Sequence, residues 1–289
     1  MLSFFFKKRL DVILNGGLGN QLFIYAAAKN FANKNKIKKL FFYSHYGMIQ
    51  NVKDISFYIS SIKIQKKIFN NFFDFFLIFL KNKLISSLVT DQQQSKKNLF
   101  NKFFINGYFQ NIKFYKPVLE IVINELFSIK LRNYLKKIEL HDIVISFRRS
   151  DYIKMGCCLD ESYYFNSLKK LNIKKNEKIK IISDDTNHAD KFRKYLKKKG
   201  YKVYKNQQYL NSKSLNDFLV LIKSKKLIMS NSSFCWWASA CRSKLNLKSN
   251  YVICPKEWCP NNKNIIDSIF SNHPGNPFGW KLEKSKFII

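Results

Sequence analysis

Acidic residues are scarce in this chain. Nineteen Asp and Glu stand against 52 Lys and Arg, a formal charge of +33 over 289 residues. No Asp-x-Asp pair occurs, because Asp184 and Asp185 are adjacent rather than spaced by one. The spaced acidic pair that would hold a divalent metal is therefore missing, and no metal is expected. Long apolar runs are also missing. Phe75 to Leu80 falls far short of the about 20 residues a bilayer span requires. The patch Phe4 to Phe6 is too short for a signal-peptide core, and its basic residues follow it rather than precede it. Six cysteines, at 157, 158, 235, 241, 254 and 259, show neither a CxxC pair nor Cys/His zinc spacing. In a chain of this size they are expected to be reduced, packed thiols, as suits a cytoplasmic protein, at most peripheral on the inner face of a membrane.

What is present points to packed cores. Apolar residues make up 46% of the chain and aromatics 16%, so disorder is not the expectation. The length suits about two domains. The basic surplus favours anionic partners such as nucleotides, nucleic acid or an acidic membrane surface. A compositional drift toward Lys, Asn, Ile and Phe would produce the same surplus.

Val12 to Leu14 reads as a buried strand, followed by GGLGNQ (Gly16 to Gln21) and a helix through Leu22, Tyr25, Ala26 and Ala28. Strand, glycine turn and helix open a dinucleotide-type α/β unit, although GGLGNQ is not a full GxGxxG. The stretch from about 60 to 135 reads as mainly helical. Phe69, Phe72, Phe73, Phe76, Leu77 and Leu80 recur there at helical spacing as a core-facing stripe. Lys66, Lys67, Lys81 and Lys83 flank that stripe and leave peripheral membrane contact open. Further strands are expected at Ile143–Phe147, Lys178–Ile182, Leu227–Met229 and Tyr251–Cys254. Their alternation with helical stretches predicts parallel α/β sheets with ligands just past the strand ends.

Three polar clusters follow those ends. Arg148 and Arg149 close the first strand, and two adjacent arginines are costly to bury without an anion or carboxylate. Asp151 is near enough to fix one guanidinium and leave the other to fork a phosphate. Arginine can stabilise a diphosphate leaving group where no metal motif exists. Ser183-Asp184-Asp185 closes the second strand. Asn231, Ser232 and Ser233 precede a helix, where hydroxyls serve as caps or phosphate donors. Asp217 is either an ordinary residue of a helix start or an acceptor for a guanine edge.

Taken in order, GGLGNQLFIYA, SFRRSDY, DFLVLIKSKKLIMSNSSFCWWAS and YVICPKEW resemble the α-1,2-fucosyltransferase family. The resemblance implies a GT-B fold, with two facing Rossmann-like domains and a nucleotide-sugar cleft between them. It places an acceptor-side domain at 1–140, with a helical Phe-rich insertion, and a GDP-fucose-binding domain at 141–289. It implies inverting, metal-independent transfer of L-fucose from GDP-β-L-fucose to O2 of a terminal galactose, on an oligosaccharide or glycolipid acceptor. Arg148 matches the arginine that stabilises the leaving β-phosphate, and Arg149 and Asp151 complete that motif, Arg148 and Asp151 being the catalytic candidates. Asp217 matches the guanine-reading acid, and Ser232 and Ser233 match the phosphate-side hydroxyls. Gly17 and Asn20 fall on the turn facing the donor, with Asp184 and Asn231 beside it. The family's usual histidine two residues before the first arginine is Ser146 here, and its usual glycine is Ser150. Transfer with another linkage, or a basic nucleic-acid-binding protein, are the alternatives. The core-like spacing of the phenylalanines speaks against specific nucleic-acid binding.

Overall fold

The computed structural model describes residues 9–45, 55–68, 87–89, 102–204, 208–260 and 273–288. The chain divides into two compact units, Met1–Leu131 and Arg132–Ile289.

The first unit is built on five parallel strands, in the order β3-β2-β1-β5-β4. These are β1 (Arg9–Asn15), β2 (Lys39–His45), β3 (Ile64–Ile68), β4 (Ser87–Val89) and β5 (Lys102–Ile105). Helix α1 (Leu18–Asn35) follows β1. It is buried on nearly every side, from Leu18 through Leu22 and Phe23 to Ala28. A helix apolar all round belongs inside a core, and its run Ala26, Ala27, Ala28 allows close approach to neighbours. Short helices α2 (Ile112–Tyr115), α3 (Leu119–Leu126) and α4 (Ile129–Lys136) complete the stretch. The expected helical character of 60–135 therefore holds from Ile112 onward and is corrected at Ile64–Ile68, Ser87–Val89 and Lys102–Ile105, which are strands. Parallel pairing with a buried neighbour overrides local spacing in such short runs. The phenylalanine stripe from Phe69 to Leu80 lies outside the described residues.

The second unit holds a six-stranded parallel sheet in the order β11-β10-β9-β6-β7-β8. Its strands are β6 (His141–Phe147), β7 (Lys178–Ser183), β8 (Lys202–Tyr204), β9 (Ser224–Ile228), β10 (Val252–Pro255) and β11 (Lys281–Glu283). The helices between them are α5 (Ser150–Lys154), α6 (Glu161–Lys170), α7 (Thr186–Lys198), α8 (Lys213–Ile222) and α9 (Ser233–Cys241). Continuous apolar runs such as Ile143–Phe147 suit strands covered on both faces. Their side chains pack with Tyr163, Tyr164, Leu168, Phe192 and Leu196 in one core.

Strand order reverses between β6 and β9, because β6 pairs with both β7 and β9. Such a reversal opens a crevice outside the carboxyl ends of the strands, the usual ligand position in open α/β sheets. The expectation of six reduced thiols holds for Cys158, Cys235, Cys241 and Cys254, which are buried and free. It is corrected for Cys157 and Cys259, which form a disulfide 102 residues apart in sequence. Spacing could not reveal this pair, because folding of β10 beside β9 brings the two loops together.

Candidate active site

The turn after β1 shows what its glycines do. Gly16 adopts φ +71, which disfavours any side chain, and a Cβ there would sit 2.9 Å from Asn20 Nδ2. Gln21 locks the turn, donating from Nε2 to Gly16 O at 2.8 Å and accepting from Ile55 N at 2.8 Å. Asn20 accepts from Gln110 Nε2 at 3.1 Å. Gly17 is different: its φ is −72 and a Cβ would meet nothing within 4 Å. Neither strain nor packing accounts for glycine there. Gly17 stands at the N-cap of α1 with no side-chain capping bond and no acid in the first turn. Backbone N–H groups and the helix dipole thus favour an anion at this end. Gly17 and Asn20 belong to the first unit; every other predicted site residue belongs to the second.

In the second unit the structure gathers Ser146, Arg148, Arg149, Asp151, Asp184 and Asn231 around the carboxyl ends of β6, β7 and β9. Arg148 is held by two acids. Its Nη2 donates to Asp151 Oδ2 at 2.8 Å, and its Nη1 lies 3.0 Å from Asp184 Oδ2, without hydrogen-bond alignment. Burial works against its charge, but Asp184 and Asp151 outweigh that and raise its pKa above the ordinary value. The side chain stays one-third exposed. A guanidinium has five N–H donors, so these contacts leave others for a phosphate.

Arg149 sits deeper, 8% exposed. Its backbone N–H donates to Asp184 Oδ1 at 2.9 Å. Its Nε is 3.6 Å from Asp185 Oδ2, too far for a hydrogen bond, and Nε and Nη1 are buried without such a partner among the described residues. An unsatisfied buried guanidinium is costly, and an entering anion would relieve the cost. The two adjacent acids that could have invited a metal are turned onto these arginines instead. Asp185 also caps α7, accepting from His188 N at 2.9 Å.

Ser146 and Ser230 are buried with their hydroxyl oxygens 2.9 Å apart, tying β6 to the loop after β9. Asn231 is fully buried, and its Nδ2 donates to Cys157 O at 2.8 Å and Trp258 O at 2.6 Å. Tyr152 closes the same knot by donating to Asn231 O at 3.1 Å. The Cys157–Cys259 disulfide bridges the loops that Asn231 also joins. Ser146 and Asn231 are thus placed to hold the arginine loop in position. Ser232 is the N-cap of α9, yet its hydroxyl makes no capping bond, and Ser233 begins the helix beside it. Both are only half-buried.

Asp217 lies on α8. Burial pushes its pKa up to about 6, against the opposing pull of Lys213, Asn216 and Lys180. Lys213 in turn reaches Ser183 O at 3.4 Å, linking α8 to the end of β7.

Sequence reading missed several members. Asp185, Ser230, Tyr152 and Gln21 stand inside the motifs quoted above but were given no role of their own, since most of their partners lie far along the chain or in the backbone. His188 was also missed. It stacks on Phe147 at 5.5 Å and contacts Glu161 at 2.9 Å. Arg149 lies 5.9 Å over the same Phe147 ring, so that stack forms the floor beneath the guanidinium. No group of three His, Cys, Asp or Glu able to hold a metal occurs among the described residues.

The relatives in sequence are distant ones. An α-1,2-colitosyltransferase of Escherichia coli is 25% identical over 272 residues, covering 85% of this chain and 90% of the relative. The O-antigen biosynthesis glycosyltransferase WbnK of Escherichia coli is 24% identical over 300 residues, covering 88% and 96%. Among solved structures, E. coli heptosyltransferase WaaC with ADP aligns at TM-score 0.48 and 11% identity, over 96% of this chain and 93% of that one. At that distance the match decides nothing about a ligand. The family model of glycosyl transferase family 11 matches residues 6–265, from the strand before the glycine turn past all the polar clusters above. The chain belongs to glycosyl transferase family 11.

Proposed function

We propose that this glycosyltransferase moves L-fucose from GDP-β-L-fucose to O2 of a terminal galactose, with inversion and without a metal. The observation that carries the reading is the arginine pair at the β6 end: Arg148 oriented by two carboxylates yet partly exposed, and Arg149 buried with unpartnered N–H groups. That arrangement fits the two negative charges of a diphosphate and turns Asp184 and Asp185 onto the arginines rather than toward a cation.

In the proposed reaction the acceptor hydroxyl attacks the anomeric carbon as its bond to the diphosphate oxygen breaks. GDP leaves, and the acceptor proton passes to base or to a donor phosphate oxygen. A β-linked donor then yields an α-linked product. Charge growing on the leaving oxygen meets Arg148, whose fixed direction costs no reorganisation during reaction. Arg149 binds the same diphosphate in ground and transition states alike. Gly17, Asn20, Ser232 and Ser233 supply backbone and side-chain donors to the donor's polar groups. Asp217, as a carboxylate, accepts two N–H groups of guanine. Asp184, Ser146 and Asn231 position the arginine loop.

A second donor is favoured by one finding. The 25% identical relative is named as an α-1,2-colitosyltransferase, and colitose is fucose without its 3-hydroxyl. Turnover of GDP-fucose and GDP-colitose against a panel of galactose-terminated sugars, with product linkage read by NMR, separates the two. Transfer from GDP-fucose to O2 supports the main reading. Transfer from GDP-colitose alone, or from neither, removes it.

A further inference from the structure

The far side of the second unit carries a feature the transfer reaction does not use. Residues 191–204, KFRKYLKKKGYKVY, contain seven basic side chains and no acid. They run from α7 through the edge strand β8. Loop 172–177 and the start of β7 lie against them, because Lys175 Nζ donates to Lys199 O and Lys178 pairs in register with Lys202. Lys175, Lys178, Lys199 and Lys202 are all exposed.

Tyrosines are interleaved with these lysines. Tyr195 is 41% exposed and Tyr204 46%, large values for aromatic rings, and Tyr201 is half-buried between them. Each ring has a lysine over it: Lys175 at 3.7 Å from Tyr201, Lys178 at 5.2 Å from Tyr204, and Lys199 at 5.6 Å from Tyr195. The acids that border the stripe are already engaged. Glu177 pairs with Lys226 at 2.8 Å, Asp142 with Lys225 at 2.8 Å, and Asp190 with Arg193. A lysine on an edge strand guards against strand pairing, which accounts for Lys202. It does not account for the tyrosines, or for lysines on the helix and loop beside it.

We propose that this lysine–tyrosine stripe docks the protein on an anionic lipid surface. Solvated lysines answer the diffuse charge of acidic headgroups, whereas the planar forks of arginine suit single phosphates. Tyrosine, apolar in its ring and polar at its tip, belongs at headgroup depth. Nucleic acid fits the charge equally but not the rings, because base stacking needs open aromatic faces and these faces carry ammonium groups. The contact is peripheral: no helix among the described residues is long and apolar enough to cross a membrane. The stripe begins at the amino ends of β7 and β8, away from the arginine loop at their carboxyl ends, so docking and catalysis can be tested separately.

Flotation of the full chain with vesicles provides the test. Vesicles of phosphatidylcholine and phosphatidylglycerol in equal parts should carry the protein, and phosphatidylcholine alone should not. Each lysine at such a surface strengthens binding roughly five-fold, so K175Q/K178Q/K199Q/K202Q should weaken it by about several hundred-fold. The milder K178Q/K202Q, on exposed strand positions, should still weaken it by about 25-fold if the fourfold variant melts early. A control of equal charge change, K34Q/K36Q/K38Q/K39Q, removes exposed lysines of the first unit and should bind as the parent does. Turnover of a soluble acceptor should be the same in all of them. Equal loss in the control would show attraction by overall charge and overturn the stripe. So would unchanged binding in both stripe variants, or displacement of the protein from vesicles by polyuridylate.

Discussion

The second unit carries two cationic regions toward opposite ends of one sheet, and they share only their sign. At the carboxyl ends, Arg148 and Arg149 are held by Asp151, Asp184 and Asp185, Arg149 buried and Arg148 one-third exposed. Toward the amino ends, lysines stand in solvent over tyrosine rings with the nearby acids otherwise engaged. Direction is the difference. A guanidinium fixed by carboxylates can address one developing charge, while a solvated ammonium answers a field. A formal charge of +33 is therefore not one property, and its chemistry depends on where acids have been placed to steer it.

The strongest way to break that contrast is to remove the steered charge. R148A should lower turnover by about 10²–10³ with much less effect on acceptor KM, measured by steady-state kinetics. R148K should recover little of it, because one ammonium cannot meet Asp151 and Asp184 in the same plane. Next comes the steering itself. D184N loses charge toward Arg148 and weakens the bond to Arg149 N, and misplacement of this kind should cost about 10² in turnover while the protein stays folded by circular dichroism.

Acid gives a graded effect. Burial raises the Asp217 pKa to about 6, so below that pH the carboxylate is protonated and can no longer accept two N–H groups. The donor KM should therefore rise as pH falls through 6, by about tenfold per unit below it. D217N should have a high donor KM at every pH and lose the acid limb. A donor KM that is flat from neutrality to pH 5 would remove Asp217 from the base site.

Breaking the Cys157–Cys259 link sharpens the other side of the comparison. C157S should lower stability by about 2–4 kcal/mol in thermal melts, since the bridge closes a long loop. It should raise the donor KM only severalfold, because Asn231 still joins the same two loops. The smallest effect belongs to the solvated lysines, whose removal should leave turnover of soluble acceptors untouched.

Much of this was legible before folding. The strands expected at 143–147, 178–182 and 227–229 show as apolar runs ending in polar clusters, because strands buried on both faces tolerate little else. The arginine pair showed itself as two charges at the end of such a run. What stayed hidden depends on distance along the chain. Asp184 meets Arg149 across 35 residues and Ser230 meets Ser146 across 84, so no local pattern marks either. The three-residue β8 is too short for periodicity, and with it the lysine–tyrosine stripe was invisible. Ser146 stood out as a departure from its family, yet only the structure gave it a partner.

If Arg148 stabilises the leaving diphosphate of a GDP-sugar, its loss must slow the bond-breaking step itself. The most direct measurement is single-turnover transfer from GDP-fucose to a saturating terminal-galactose acceptor, comparing the parent with R148A. The parent should give an α-1,2-linked product, and the variant a rate lower by about 10²–10³ at similar GDP affinity. An R148A rate close to that of the parent would contradict it.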